Sequence, residues 1–145
     1  SPVTVPAKGR WMFEDMARWA RRYGVPLAMN PFFPINTLTL MRGAVGLQMH
    51  RPAEFGRYVD AVFGAMWAQP SNLGDPAVMA ETLQRAGLDA AAVAALAGDA
   101  EVKAKLVANT EEAVARGAFG APTMFVGEQM FFGQDRLDFV REALG

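Results

Sequence analysis

A change of hydrophobic period at Gly120 constrains the fold of this chain more than any other sequence feature. Before Gly120 the apolar residues recur three and four positions apart, which is the spacing of amphipathic helices. After it, residues 123–126 and 129–132 are short β-prone runs separated by Gly127-Glu128, a two-residue hairpin signal. The last segment returns to helical spacing. The sequence therefore predicts several helices, one hairpin and one final helix.

The boundaries of the helices are marked by residues that cap or break them. A first amphipathic helix is predicted over residues 11–23, because Gly24 can adopt the left-handed conformation that ends a helix. Asn36 or Thr37 is predicted to cap the next helix, and the apolar stripe over residues 55–67 predicts a buried one. Three later helices are expected to begin at caps, which are Asp75, Asp89 and Asp99.

The hairpin implies more sheet than this chain offers. Two antiparallel strands alone are marginal in water, and they cannot bury both of their faces. The side chains of Phe125, Phe131 and Phe132 therefore imply further strands beside the hairpin, and the sequence contains no convincing candidate for them. We expect that part of the domain is absent from this chain.

Composition excludes several classes of site and partner. The chain has no cysteine, so disulfides, thiolate metal sites and cysteine nucleophiles are excluded within these residues. Its single histidine, His50, has no second histidine or cysteine as a partner, and no metal site is expected. The net charge is −1 without a basic stripe, so we expect no nucleic-acid partner. No apolar run approaches the roughly 20 residues that cross a bilayer, and we expect no membrane partner and a cytoplasmic protein.

Several strings of residues resemble a known family. Residues 119–127, FGAPTMFVG, and residues 130–137, MFFGQDRL, resemble the C-terminal half of a thioredoxin-like domain in the DsbA-like superfamily, which includes the kappa-class glutathione transferases. Within it, the closer resemblance is to the 2-hydroxychromene-2-carboxylate isomerases. That resemblance is carried by VPAKGR at 5–10, NPFFPINT at 30–37, AMW at 65–67 and GLD at 87–89.

The resemblance implies an α/β fold, in which a thioredoxin-like domain carries a large all-helical insertion. Residues 1–117 would form the helical insertion, with a connector at residues 1–9, and residues 118–145 the C-terminal β-β-α part. The family's N-terminal strand, helix and strand would precede Ser1. They would include the serine that lies near the glutathione sulfur, so no catalytic residue is assigned in this chain.

The resemblance also implies glutathione as the cofactor and assigns five residues to it. Pro122 stands where thioredoxin-like folds have a cis-proline, and the main chain of Ala121 would pair with the cysteinyl part as a strand does. Gln134 and Asp135 match positions that hold the γ-glutamyl end, near a helix start that favours a carboxylate. Lys8, in a turn before the first helix, matches a residue at the mouth of the active site.

Each of these residues also has a simpler interpretation. Pro122 is compatible with a trans proline that marks a strand edge, and Lys8 with an ordinary solvated lysine. Asp135 and Asp138 are three residues apart, which is the spacing of a capping box. A capping role and a glutathione role are compatible, because a carboxylate has two oxygens.

A small aromatic substrate is expected opposite the cofactor. The candidates for lining its pocket are Trp11, Met12, Phe32, Phe33 and Asn36. Large apolar residues near helix starts more often belong to a core, and Asn36 is equally compatible with a helix cap alone.

The function implied by the resemblance is that of a glutathione-dependent isomerase of the 2-hydroxychromene-2-carboxylate type, in the catabolism of naphthalene-like aromatic compounds. The family tends toward dimers, so a homodimer is expected. Three alternatives stay open: a kappa-class-like glutathione transferase, a DsbA-like disulfide oxidoreductase whose active-site segment is missing, and a non-enzymatic fragment. The isomerase-like strings before Gly120 favour the first function.

Overall fold

The structure is a computed structural model, and it describes residues 5–145. The chain forms two compact units, a helical unit that ends at Val102 and a hairpin unit, Lys103–Gly145. The predicted division between residues 117 and 118 refers to the domains of the family and stays a prediction. None of the helices in the described part of the chain is long and apolar enough to cross a membrane.

Residues 5–102 of the helical unit contain five complete α-helices and the start of a sixth. These are α1 (Pro6–Tyr23), α2 (Leu38–His50), α3 (Pro52–Phe63), α4 (Pro76–Arg85), α5 (Ala90–Gly98) and α6 (Ala100–Ala115), and α6 continues into the hairpin unit.

Helix α1 begins at Pro6, five residues earlier than predicted from Trp11. Proline suits the first helical position, because its φ is preset and its missing N–H has no partner there in any case. Residues 6–9 of the predicted connector are therefore helical, and residues 1–4 lie outside the described residues. Lys8 consequently lies in the first turn of α1 and not, as predicted, in a turn before it.

The helix ends that carry local signals lie where the sequence predicted them. Asp75, Asp89 and Asp99 each accept a hydrogen bond from a backbone N–H two or three residues later, at 2.8–3.1 Å. Gly24 ends α1 with φ 65°, in the left-handed conformation. A side-chain cap of this kind contributes about 1 kcal/mol, because it pairs an N–H that the helix leaves without a partner.

Helix α2 packs closely against α3 and α5 at its two glycines. A Cβ on Gly43 would lie 2.7 Å from the Tyr58 hydroxyl oxygen, and one on Gly46 would lie 2.8 Å from Leu96 Cβ. Glycine costs a helix about 1 kcal/mol relative to alanine. The close packing explains its presence here, since the Tyr58 hydroxyl passes Gly43 and donates to the carbonyl oxygen of Leu40 at 2.7 Å.

The predicted stripe over residues 55–67 is interrupted by a π-helical turn, Gly64–Ala68. Gln69 N–H donates to the carbonyl oxygen of Gly64, five residues earlier, at 2.8 Å. The wider turn changes which positions share a face. Tyr58 and Met66 are buried as predicted, whereas Phe63, which precedes this turn, is 64% exposed.

The hairpin unit contains β1 (Thr123–Val126), β2 (Gln129–Phe132) and α7 (Leu137–Leu144). The strands pair antiparallel, with Val126 opposite Gln129 across a two-residue turn, which confirms the predicted hairpin and its bounds. Arg116, just after α6, donates to the carbonyl oxygen of Gly127 at 2.8 Å and lies over the ring of Phe125. Its guanidinium therefore holds the turn of the hairpin to the end of α6.

Candidate functional site

The entry to β1 lies beside the turn that precedes α7. The Ala121–Pro122 peptide bond is cis, as predicted. The carbonyl oxygen of Pro122 accepts a hydrogen bond from Gly133 N–H at 3.0 Å, and Gly133 directly precedes Gln134 and Asp135. The structure thus brings together the four candidate glutathione residues of the hairpin unit, all of which are exposed.

The main chain of Ala121 borders the open edge of β1. In an antiparallel pair, alternate residues direct their N–H and C=O groups toward the partner strand and away from it. Since Pro122 faces β2, Thr123 and Phe125 face the other edge, which has no partner strand within residues 5–145. Ala121 continues this edge, and no hydrogen bond among the described residues uses its N–H or C=O. An extended ligand can therefore pair with it.

Gly133 fixes the position of the Asp135 carboxylate. Its φ of 104° and ψ of 147° lie in a region that is almost restricted to glycine. A Cβ at this position would lie 2.5 Å from Oδ1 of Asp135, so the carboxylate folds back over the glycine. Sequence reasoning assigned no role to Gly133, and the only signal for it was its place in the string MFFGQDRL.

Asp135 pairs with its neighbour, and the predicted capping box is wrong. Gln134–Arg136 is a 3-10 turn, whose Arg136 N–H donates to the carbonyl oxygen of Gly133 at 3.2 Å. This turn displaces Asp135 from the helix, so α7 begins at Leu137 without a side-chain cap. Oδ2 of Asp135 instead lies 2.7 Å from Nη1 of Arg136, with both side chains nearly half exposed. Sequence reasoning did not find this ion pair.

Lys8 is exposed and belongs to the helical unit, and its role beside the cofactor stays a prediction. The candidates Trp11 and Met12 follow it in α1, and Trp11 is 55% exposed. Within residues 5–145, no hydrogen bond or aromatic contact joins either of them to the loop residues proposed for the same pocket. The shared substrate pocket of these five residues stays a prediction.

The loop that carries Phe32 and Phe33 is held by a buried asparagine. Asn30 is 4% exposed, and its amide donates to the carbonyl oxygens of Met66 at 3.1 Å and Ser71 at 2.9 Å. Its Oδ1 accepts a hydrogen bond from Phe32 N–H at 2.9 Å. Asn30 therefore positions the loop, a role that sequence reasoning missed because the partners lie far along the chain.

The aromatic side chains of this loop are available to a ligand. Phe32 is 49% and Phe33 is 55% exposed, and the ring of Phe33 contacts that of Trp67 with 5.5 Å between centroids. Asn36 ends the loop, and its Oδ1 accepts a hydrogen bond from Leu38 N–H at 3.0 Å. The N-cap of α2 is Thr37, one of the two residues predicted to cap it, and its side chain makes no capping hydrogen bond. Asn36 lies one position earlier and accepts from the first N–H of α2, and its amide donors have no part in that bond.

Comparisons with known proteins agree on one family. A family model described as a DSBA-like thioredoxin domain matches residues 1–145. The chain is 32% identical to the 2-hydroxychromene-2-carboxylate isomerase of Pseudomonas putida over 134 residues, which are 90% of this chain and 63% of that protein. It is 30% identical to the protein of the same name from Sphingobium xenophagum over 140 residues, 97% of this chain and 70% of that one.

Two further matches extend the comparison. Glutathione s-transferase kappa 2 of Caenorhabditis elegans is 26% identical over 155 residues, covering 99% of this chain and 69% of that protein. A solved structure of a 2-hydroxychromene-2-carboxylate isomerase superposes with a TM-score of 0.80 and 28% identity, covering all of this chain and 70% of that one.

Proposed function

Because the chain belongs to the 2-hydroxychromene-2-carboxylate isomerase family of DSBA-like thioredoxin domains, we propose that it binds glutathione and serves the isomerisation of a small aromatic substrate of the 2-hydroxychromene-2-carboxylate type. The reaction would belong to the catabolism of naphthalene-like aromatic compounds. The observation that supports this proposal best is the hydrogen bond from Gly133 N–H to the carbonyl oxygen of Pro122, because it joins the residue after Ala121 to the residue two positions before Asp135. The chain spans 63% of the Pseudomonas putida relative, so the proposal concerns the part of the site that these residues form.

The groups at the hairpin fit the middle and one end of a peptide-like thiol. The N–H and C=O of Ala121 match the main chain of a cysteinyl residue, which can pair with them as an added strand. Asp135 and Arg136 present one negative and one positive group side by side, and the amino-acid end of glutathione carries an ammonium and a carboxylate. The exposed amide of Gln134 offers a further donor and acceptor beside them.

In the proposed reaction, the residues of this chain bind and orient glutathione and the aromatic substrate. Bound glutathione would supply a thiol as the nucleophile. Ala121 would fix the direction of its cysteinyl main chain, and Asp135 would hold the ammonium group. Phe32 and Phe33 offer apolar surface to an aromatic substrate, and Lys8 a positive charge to anionic groups. No residue of the described chain is assigned to activation of the thiol.

Binding is tested by thermal unfolding with and without glutathione. A ligand present at one hundred times its dissociation constant stabilises the folded state by about 2.7 kcal/mol, so glutathione should raise the melting temperature. Asp135→Asn should remove most of this shift, because it removes the charge that faces the ammonium. Asp138→Asn is the matched control, since Asp138 is an exposed acid of the next turn whose nearest cation, Arg141, lies 3.8 Å away. The proposal fails if glutathione produces no shift, or if both variants respond alike.

A kappa-type glutathione transferase is the second candidate, because the Caenorhabditis elegans relative bears that name. The two activities differ in the fate of the cofactor. An isomerase returns glutathione unchanged, whereas a transferase consumes one molecule for each molecule of product. Measuring free thiol during turnover of an aromatic substrate separates them: a constant thiol concentration supports the isomerase, and a stoichiometric loss supports the transferase.

A further inference from the structure

A pocket of about 180 Å³ lies inside the helical unit, between α4, α5 and the start of α2. Its floor includes Met79, Leu83 and Val93. Leu83 is 2% and Val93 is 4% exposed, so this floor belongs to the core of the unit. The pocket opens to the surface beside Asn36 and Thr39, which are exposed.

The pocket exists because α5 faces α4 with small side chains. Ala90, Ala94 and Ala97 line one wall, at a spacing of four and three residues that places them on one face of α5. Gly74 and Ala80 are two further small residues of the lining.

The lining selects a neutral occupant. None of the described residues that line the pocket carries a charge. An ion would lose its hydration there without gaining a partner, at a cost of several kcal/mol. The hydroxyl of Tyr58, in the lining, donates to the carbonyl oxygen of Leu40 at 2.7 Å, and burial raises the pKa of Tyr58 to about 12, so this wall stays uncharged at neutral pH.

The mouth of the pocket is polar. Asn36 and Thr39 line it and are exposed. Oδ1 of Asn36 is engaged by Leu38 N–H, which leaves the two amide N–H donors for an acceptor on a ligand. The Thr39 hydroxyl can donate or accept. An occupant with an apolar body and one hydroxyl group satisfies both parts of the pocket.

We propose that this pocket binds a neutral monocyclic phenol, with its ring between α4 and α5 and its hydroxyl beside Asn36 and Thr39. A dry apolar cavity of about 150 Å³ holds one benzene ring, so a pocket slightly larger than this holds a ring with one small substituent. A fused two-ring compound would be too large without movement of the helices. The proposal uses no residue assigned to glutathione, and it shares only Asn36 with the predicted substrate pocket.

The test uses phenol as the probe, with binding followed by calorimetry and by nuclear Overhauser effects between its ring protons and the methyl groups of Leu83 and Val93. Saturable binding with these contacts is expected for the unmodified protein. Benzoate, which is charged at neutral pH, and 1-naphthol, which has two rings, should each bind at least tenfold more weakly. Absence of saturable binding, contacts elsewhere on the protein, or equal binding of the three compounds would each overturn the proposal.

Two variants of α5 supply the matched comparison. Ala94→Leu places a larger side chain at the exposed end of the pocket wall and should weaken phenol binding at least tenfold. Ala95→Leu changes the neighbouring exposed alanine, which does not line the pocket, and should leave binding unchanged. Equal affinities for the two variants would contradict the proposal. The contacts to Leu83 and Val93 in the unmodified protein test it without any variant.

Discussion

In the helical unit Leu47, Leu83 and Val102 are each at most 2% exposed, whereas none of residues 103–145 is buried. The hairpin unit leaves large apolar side chains in contact with solvent, among them Phe119 at 72% and Leu144 at 71%. The helical unit therefore has a core of its own, and the hairpin unit does not. Four of the five candidate cofactor residues lie in the hairpin unit, where they are exposed and little constrained by packing.

The largest loss of stability is expected when a leucine of the helical core is truncated. Leu47→Ala should lower the free energy of unfolding by about 3 kcal/mol, because it removes a fully buried side chain and leaves a cavity among Tyr58, Leu83 and Val93. Leu144→Ala, the same change in the hairpin unit, should cost less than about 0.5 kcal/mol. Urea denaturation followed by circular dichroism measures both. Similar losses for the two variants would show that the hairpin unit is packed as tightly as the helical one.

The pH dependence of stability should also reflect the helical core, through Tyr58. Burial raises its pKa to about 12 from the ordinary 10, because the charged phenolate would lose its hydration. Below pH 10 the phenol is neutral in both folded and unfolded protein, and its contribution to stability is fully present. As the pH rises from 10 to 12 the unfolded chain loses this proton first, so about 3 kcal/mol of stability is lost.

Tyr58→Phe separates this titration from general alkaline unfolding. The variant should lose about 1 kcal/mol at neutral pH, because the hydrogen bond to Leu40 is absent, and should then fall less steeply above pH 10. Tyr23→Phe is the control, since Tyr23 is 48% exposed. Unfolding in urea at a series of pH values gives the three curves. Parallel curves for the unmodified protein and Tyr58→Phe would exclude Tyr58 as their cause.

Features that depend on neighbouring residues were predictable from the sequence. The caps at Asp75, Asp89 and Asp99 were predicted because each pairs with an N–H two or three positions away. The hairpin was predicted with its bounds, since a two-residue turn signal fixes the register on both sides. The fold class and the cis bond before Pro122 followed from the family resemblance, and both are confirmed.

Features that depend on distant contacts were not predictable. Asn30 is buried because its amide meets Met66 and Ser71, 36 and 41 positions along the chain. The pocket between α4 and α5 likewise depends on how two helices pack. The capping box at Asp135 was wrong for a local reason, because the positive φ of Gly133 cannot be read from a glycine alone and it introduces a 3-10 turn.

A smaller effect on stability than that of Leu47→Ala is expected at a glycine of the hairpin unit, with a glycine of the helical unit for comparison. Gly133→Ala should cost about 2 kcal/mol, because alanine rarely adopts this backbone conformation and its Cβ would meet Oδ1 of Asp135. Gly98→Ala, at the end of α5, places its Cβ in open space and should be neutral or slightly stabilising. Unfolding in urea measures both changes.

Glutathione binding by the same two variants shows what Gly133 does beyond folding. Displacing the Asp135 carboxylate should remove most of the thermal shift with glutathione in Gly133→Ala, while Gly98→Ala keeps it. A glycine needed only for the turn would lower the melting temperature and leave that shift unchanged. Loss of the shift would instead mean that the backbone at Gly133 positions Asp135 for glutathione. In the helical unit, by contrast, the buried side chain of Asn30 positions the loop that carries Phe32 and Phe33.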